Sequence, residues 1–223
     1  MRQEGEAEMG VKLPNGATLE IASEYGSKKT ISALTNANPA VATSTAHGLE
    51  NNDYVEVSSG WGRLNERIVK VTGADTDTFS MDGYDASNVS SNPAGTGIGS
   101  VREITGWTQI PQIVDFSTSG GEMQYTSYSF LESDSESQIP TQNSAKSITI
   151  EIADDPLLPC YAVLKEASDT REKRALRLKL PGGSEIVYNG YVSFSDTPTM
   201  KKNELMTVTA TFSLASQPLR YTA

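Results

Sequence analysis

The chain has 223 residues, a net charge of −10 and a hydrophobic content of 37%. That length suggests one large domain or two small ones, with apolar content enough for a core. The excess of acid argues against gripping nucleic acid through its phosphates, and no stretch approaches the ~18 apolar residues of a membrane span. Cys160 is the only cysteine, which excludes an intramolecular disulfide and a cysteine-built zinc site. The opening MRQEGEAEMG is acidic and has no apolar run, so no signal peptide is expected.

In chain order, Thr18-Leu19-Glu20-Ile21 reads as a strand. Residues 30–105 then read as a separate unit. Short strands around Tyr54–Val57, Arg67–Val71 and Asp75–Phe79 are divided by polar turns, and Asp85–Ser100 is a Ser-, Asn- and Gly-rich linker or long loop. Gly106-Trp107-Thr108-Gln109-Ile110 resumes the host, so residues 1–29 and 106–223 form one domain interrupted by an insertion.

Residues 106–155 carry eight acids and one base, and residues 156–223 carry nine bases and six acids. The acids are densest at Glu132, Asp134 and Glu136, in a polar stretch without apolar periodicity. It is either a solvated loop or a contact loop that meets the basic C-terminal part of a neighbouring copy. Ser147–Ile152 alternates strictly, with three isoleucines on one face and Ser147, Thr149 and Glu151 on the other. Asp155–Ala167 reads as a helix capped by Asp155, with Leu157, Cys160, Tyr161 and Leu164 on one side. Leu176, Leu178 and Leu180 lead through Pro181-Gly182-Gly183 to Ile186, Tyr188, Val192 and Phe194, a hairpin. The last strand sets Met206, Val208, Ala210, Phe212 and Leu214 against Thr207, Thr209, Thr211 and Ser213. The sum is a mainly β fold, an antiparallel β-sandwich or barrel with one flanking α-helix and an inserted small β-barrel.

Catalytic chemistry has little to stand on. His47 is the only histidine and no Gly-x-Ser-x-Gly elbow or phosphate-binding glycine loop is present. Cys160 sits among Leu157, Leu158, Tyr161 and Leu164, as a buried apolar residue would. Asp154 and Asp155 are adjacent and suit helix capping better than paired catalysis, and Asp75 with Asp77 lacks a full calcium loop. No catalytic, cofactor or metal site is expected. A second class of function, a carbohydrate- or receptor-binding β-module, rests on the aromatic faces of Tyr54, Trp61 and Tyr84.

The run Gly106–Ile110 through Val114-Asp115-Phe116-Ser117, the long loop after it, the Ser147–Ile152 strand, the single helix and the ending Asn189-Gly190-Tyr191-Val192 … Val208–Ser213 resemble the major tail tube proteins of long-tailed, lambda-like bacteriophages. The resemblance covers residues 11–29 and 106–223. Within the insertion, Pro39–Thr43, His47-Gly48-Leu49, Asp53-Tyr54-Val55, Leu64–Arg67 and Asp77–Met81 resemble a small β-module similar to the first catalytic-cysteine half-domain of ubiquitin-activating enzymes, without its cysteine. The resemblance implies a non-enzymatic, late virion protein whose six-membered rings stack into a channel for DNA. It also implies assembly in the host cytoplasm around a tape measure protein, terminator and tail-tip proteins at the ends, no membrane and no specific DNA binding. Ser147, Thr149, Glu151, Thr207, Thr209, Thr211 and Ser213 then either line the lumen or face solvent outside the subunit. Glu132, Asp134 and Glu136 are the candidates for contact between rings.

Overall fold

Period-two alternation of apolar side chains builds nearly everything in this chain. The computed structural model describes residues 15–222; the acidic opening segment, on which the absence of a leader was read, lies outside the described residues. After β1 (Thr18–Tyr25) come six short strands: β2 (Lys29–Ile31), β3 (Ala33–Leu34), β4 (Ala40–Thr43), β5 (Tyr54–Ser59), β6 (Ile68–Thr72) and β7 (Thr78–Asp82). The long β8 (Gly99–Ile110) leads to β9 (Ile113–Ser119), β10 (Met123–Tyr128), β11 (Ser137–Asn143) and β12 (Ser147–Ala153). The helix α1 (Pro159–Thr170) precedes β13 (Lys173–Lys179), β14 (Glu185–Thr199), β15 (Thr207–Leu214) and β16 (Leu219–Tyr221).

The first half of β8 belongs to a small closed barrel. It pairs with β5 on one side and β2 on the other, and β5–β6–β7–β4–β3 completes the circuit. Only Ser32 separates β2 from β3, so the two act as one interrupted strand. Val55, Val57, Trp61, Leu64, Val69, Phe79 and Met81 fill the interior. The segment after β7 is not a free linker. Tyr84 donates to Asn92 Oδ1 at 2.6 Å, Trp61 Nε1 donates to the Pro93 carbonyl at 2.8 Å, and a Cβ on Gly97 would lie 2.6 Å from the Trp61 ring. Pro93 and Gly97 lie against the indole, and Asn92 is held by Tyr84 and Asn36, which is why a polar composition here makes an ordered cover.

The second half of β8 pairs with β1, and the antiparallel order continues β1–β13–β14–β15–β12–β9. This sheet curls around α1, whose Cys160, Leu164 and Ala167 are buried against Ile21, Leu176, Val192, Phe212 and the three isoleucines of β12. The Pro181–Gly183 turn closes β13 on β14, with Lys179 opposite Glu185. Strand alternation and the hairpin are therefore as the sequence reads them. Three details differ. Pro159 takes the first helical position, so the helix begins four residues late and its cap, Leu158, offers no side-chain acceptor. Asp155 instead accepts from Leu157 N–H at 3.1 Å, leaving Leu157 92% exposed and off the buried face. Met206 precedes β15 and is 46% exposed.

β8 passes from the small barrel into the curled sheet without interruption, and a third apolar cluster joins the two bodies. Tyr54 and Ile68 of the barrel meet Ala22, Ile104, Ala175, Val187 and Tyr221. Polar ties frame the seam: Tyr54 with Glu185, Lys173 with Glu66, and Asn189 Nδ2 with Glu56 at 2.9 Å and the Glu66 carbonyl at 2.8 Å. Arg177 lies over Trp107 and Tyr54 and grips Glu20 at 2.5 Å, with Lys179 at 2.9 Å on the other oxygen. Burial alone would raise the Glu20 carboxyl, but hydrogen bonds from Lys179 and Arg177 outweigh it and hold the group below its usual range.

Burial raises the phenols of Tyr25, Tyr54 and Tyr221 together, that of Tyr25 to about 12. Each folded pKa lies above its unfolded value, so the stabilisation is complete below pH ~10 and drains away as pH climbs through the folded values. Unfolding free energy should therefore fall steeply between about pH 10 and 12, by about 2–3 kcal/mol from Tyr25 alone. Denaturant titrations with parallel tyrosinate absorbance check this, and Tyr25→Phe should flatten the slope.

Candidate functional site

The polar faces of β12 and β15, two separate faces in the sequence, form one surface with two further strands. Across β9, β12, β15 and β14 the pairing aligns three rows: Asp115–Glu151–Thr209–Ser195, Ser117–Thr149–Thr211–Ser193, and Ser119–Ser147–Ser213–Tyr191. Thr207 continues the surface beside Ala153 and Thr199. Hydroxyls bond along the rows, Ser119 Oγ to Ser147 Oγ at 2.8 Å and Thr199 Oγ1 to Thr207 Oγ1 at 2.8 Å. The opposite face of these strands carries Ile148, Ile150, Ile152, Val208, Ala210 and Phe212, all buried. One dry face forces the hydroxyl face outward.

No Lys or Arg stands in the three rows. Beyond Tyr191 the last row reaches Lys173, whose ammonium is tied to Glu66 across the seam. Asp115, Ser117 and Ser119 of β9 and Ser193 and Ser195 of β14 were not singled out from sequence. The alternation Val114-Asp115-Phe116-Ser117 is the signal that could have found the first set. The second is hidden because β14 carries buried side chains on both faces over its first half.

The only charges in the rows are Asp115 and Glu151, directly opposite each other. Among the described residues neither has an ion-pair partner. Like charges facing across a ladder destabilise it. Glu151→Gln should raise unfolding free energy by about 0.2–1 kcal/mol at low salt, and the gain should vanish near ~1 M salt. Urea titrations at both ionic strengths measure it.

Glu132, Asp134 and Glu136 lie elsewhere. The stretch that holds them is not an irregular loop: β10 and β11 form a two-stranded hairpin whose residues are all exposed, with the three acids at its tip. Tyr125, Phe130, Leu131 and Ile139 are exposed on it as well, and Tyr128 packs edge-on to Phe130 at 5.4 Å. Its pairing went unread because neither strand has a buried face to impose alternation. Gly120 and Gly121 root this arm at φ +78° and +87°, and a Cβ on Gly120 would fall 1.9 Å from the Ala145 carbonyl.

The other candidates are structural. His47 is buried, with Nδ1 accepting from Leu49 N–H at 3.0 Å and Nε2 at 3.2 Å from the Thr78 carbonyl. Cys160 is buried and its thiol is pushed up by that burial. Asp75 and Asp77 accept from the Thr76 and Ala46 amides at 2.8 Å each. Tyr54, Trp61 and Tyr84 are at most 5% exposed, so their faces are closed to a sugar. That removes the basis of the carbohydrate-binding alternative. Among the described residues no group of three His, Cys, Asp or Glu could hold a metal ion, and no helix is long and apolar enough to cross a membrane.

No curated protein matches the chain. Among solved structures, one chain of the anti-feeding prophage baseplate, determined by cryo-electron microscopy with six-fold symmetry, is similar at TM-score 0.39 and 9% identity, over 53% of this chain and 86% of that one. That superposition is too loose to carry function across. The family comparison is direct: residues 59–223, from inside β5 of the small barrel to the C-terminus, match the sequence model described as phage tail tube protein, TTP. The match spans well over half of the chain, and the protein belongs to the phage tail tube protein family.

Proposed function

We propose that this protein is the wall subunit of a long-tailed, lambda-like phage tail, six copies closing into a ring and rings stacking into the channel for genome ejection. The observation that carries the reading is the four-strand hydroxyl surface with no base in its rows. A channel for DNA has to avoid holding phosphate, since each bound lysine or arginine adds affinity through counterion release. Threonines keep the strand well formed and present only hydroxyls. Ser147, Thr149, Glu151, Thr207, Thr209, Thr211 and Ser213, with the β9 and β14 residues of the same rows, are assigned to the lumen.

Two sheet edges support closure of a ring. β9 pairs only with β12, and β14 outruns β13 after Tyr191, where α1 takes up only Phe194 N–H through Ser168 Oγ at 3.1 Å and the Asp196 carbonyl through Tyr161 at 3.5 Å. They run in opposite directions, three antiparallel steps apart, so joining β9 of one copy to distal β14 of the next continues the pattern. An open edge is a template for such pairing. Residues 1–29 and 106–223 are assigned to the wall and residues 30–105 to its exterior. The acidic arm is assigned to contact between copies. In this reading the protein has no enzymatic role, a tape measure protein occupies the lumen during assembly in the host cytoplasm, and terminator and tail-tip proteins close the ends.

Electron microscopy of the purified protein tests the assembly: six-fold rings or tubes are expected, and a population of monomers at every concentration would sink the reading. The lumen is tested at Thr211, which stands between Thr149 and Ser193 with no acid opposite. Thr209 is the poorer probe, because Glu151 faces it and would neutralise a lysine there. Phage carrying Thr211→Lys should build normal tails and release DNA at least about tenfold more slowly at low salt, recovering as salt rises. Unchanged release from normal tails would remove this strand from the channel.

A further inference from the structure

Two features of the molecule are unpaired in opposite senses. The arm between Gly121 and Ser144 carries Glu122, Glu132, Asp134 and Glu136 and no base. A pocket of about 550 Å³ beside the seam is lined by Arg63, Asn65, Arg67, Ser216 and Gln217 and by no acid. The Arg67 guanidinium is half-buried, its Nε has no hydrogen-bond partner, and among the described residues no carboxylate pairs with it. The Tyr84 ring, 5.6 Å away, lies over the guanidinium in place of a carboxylate. Among the described residues every other partly buried arginine has a carboxylate: Arg102 has Glu56, Arg174 has Glu166 and Glu172, and Arg177 has Glu20. A cation removed from water without a partner is costly, and a planar guanidinium is shaped for a carboxylate.

We propose that this pocket is the receptor for the acidic arm tip of a second copy, with Glu132, Asp134 or Glu136 seated on Arg63 and Arg67. The topology selects which copy. The arm leaves the sheet at Ser119 and Ser147, the end where Ser213 closes β15, and Ala215–Gln217 follow at that same end. A second depression, lined by Gly121, Asn143 and Ser144 on one side and Ala215–Pro218 on the other, places the arm root against this connection. Root and receptor therefore share one end of the subunit. Copies related by rotation hold that end at one level, so an arm lying sideways meets the pocket of its neighbour in the same ring. Repeated around the axis, this is a heterologous contact that closes. The arm then clasps the ring, instead of joining one ring to the next. An isolated two-stranded hairpin is marginal in water, and docking supplies the cover this one lacks. The inference rests on the ring assembly proposed above.

Charge reversal and cross-linking test it. Glu132→Lys/Asp134→Lys/Glu136→Lys should raise the concentration needed for ring formation about tenfold or more, as should Arg63→Glu/Arg67→Glu, and the two sets combined in one chain should restore it. Circular dichroism establishes that each variant is folded. Should the arginine variant unfold, the decision passes to Asp134→Cys/Gln217→Cys in otherwise native protein, oxidised after assembly. A covalent ladder ending at the copy number of one ring supports the proposal. A ladder running past that number places the contact between rings and overturns it, as do native rings that give no cross-link. Absence of rings from the unmodified protein overturns the assembly reading itself.

Discussion

A pleated strand offers two faces, and in this chain one continuous sheet has to find an environment for both along its whole length. Its inner face is apolar throughout and closes on α1. Its outer face changes chemistry partway. Over β9, β12, β15 and distal β14 it is hydroxyl and stays wet, whereas over β8, β1, β13 and proximal β14 it carries Ala22, Trp107, Ala175 and Val187. Apolar side chains on an outer face require a cover, and the small barrel supplies it with Tyr54 and Ile68. The barrel is thus a condition of the sheet's chemistry as well as an addition to the chain.

Charge follows the same division. The bases of the seam are held in place: Arg177 and Lys179 by Glu20, Lys173 by Glu66, Arg102 by Glu56. Three of these cations also stand beside aromatic rings, with Arg102 4.0 Å from the Tyr25 centroid, Arg177 4.3 Å from Trp107 and Lys173 5.5 Å from Tyr191. Such cations are committed to holding two bodies together and are withdrawn from the open rows. Four further acids stand on the β10–β11 arm, whose strands pair only with each other. A strongly acidic molecule can in this way keep a nearly neutral surface where its strands are widest.

Legibility tracked burial. Ser147–Ile152, Thr207–Leu214 and the Leu176–Phe194 hairpin could be read because each has one dry face, and dryness imposes the alternation. The β10–β11 hairpin could not, since both its faces are exposed and its sequence carries no pattern to read. The helix start was misplaced by four residues because two prolines and an aspartate offered competing first turns, and only the packing of Cys160, Leu164 and Ala167 selects Pro159. For the open surface, the sequence named seven of its residues as two faces. That they adjoin depends on β12 pairing with β15 across more than fifty intervening residues, a contact no local signal encodes.

β8 has a mechanical consequence. A domain hung on a flexible linker swings, whereas the small barrel and the curled sheet share a twelve-residue strand whose pairing runs from Ile31 and Ser59 at one end to Leu19 at the other. A load on the barrel along this strand is taken in shear by many bonds at once, and a sideways load meets the packed seam. The barrel therefore behaves as a rigid lever set at a fixed angle to the sheet. In a symmetric particle its density would survive averaging as sharply as the rest of the subunit, and torque on it would be transmitted to the sheet undamped.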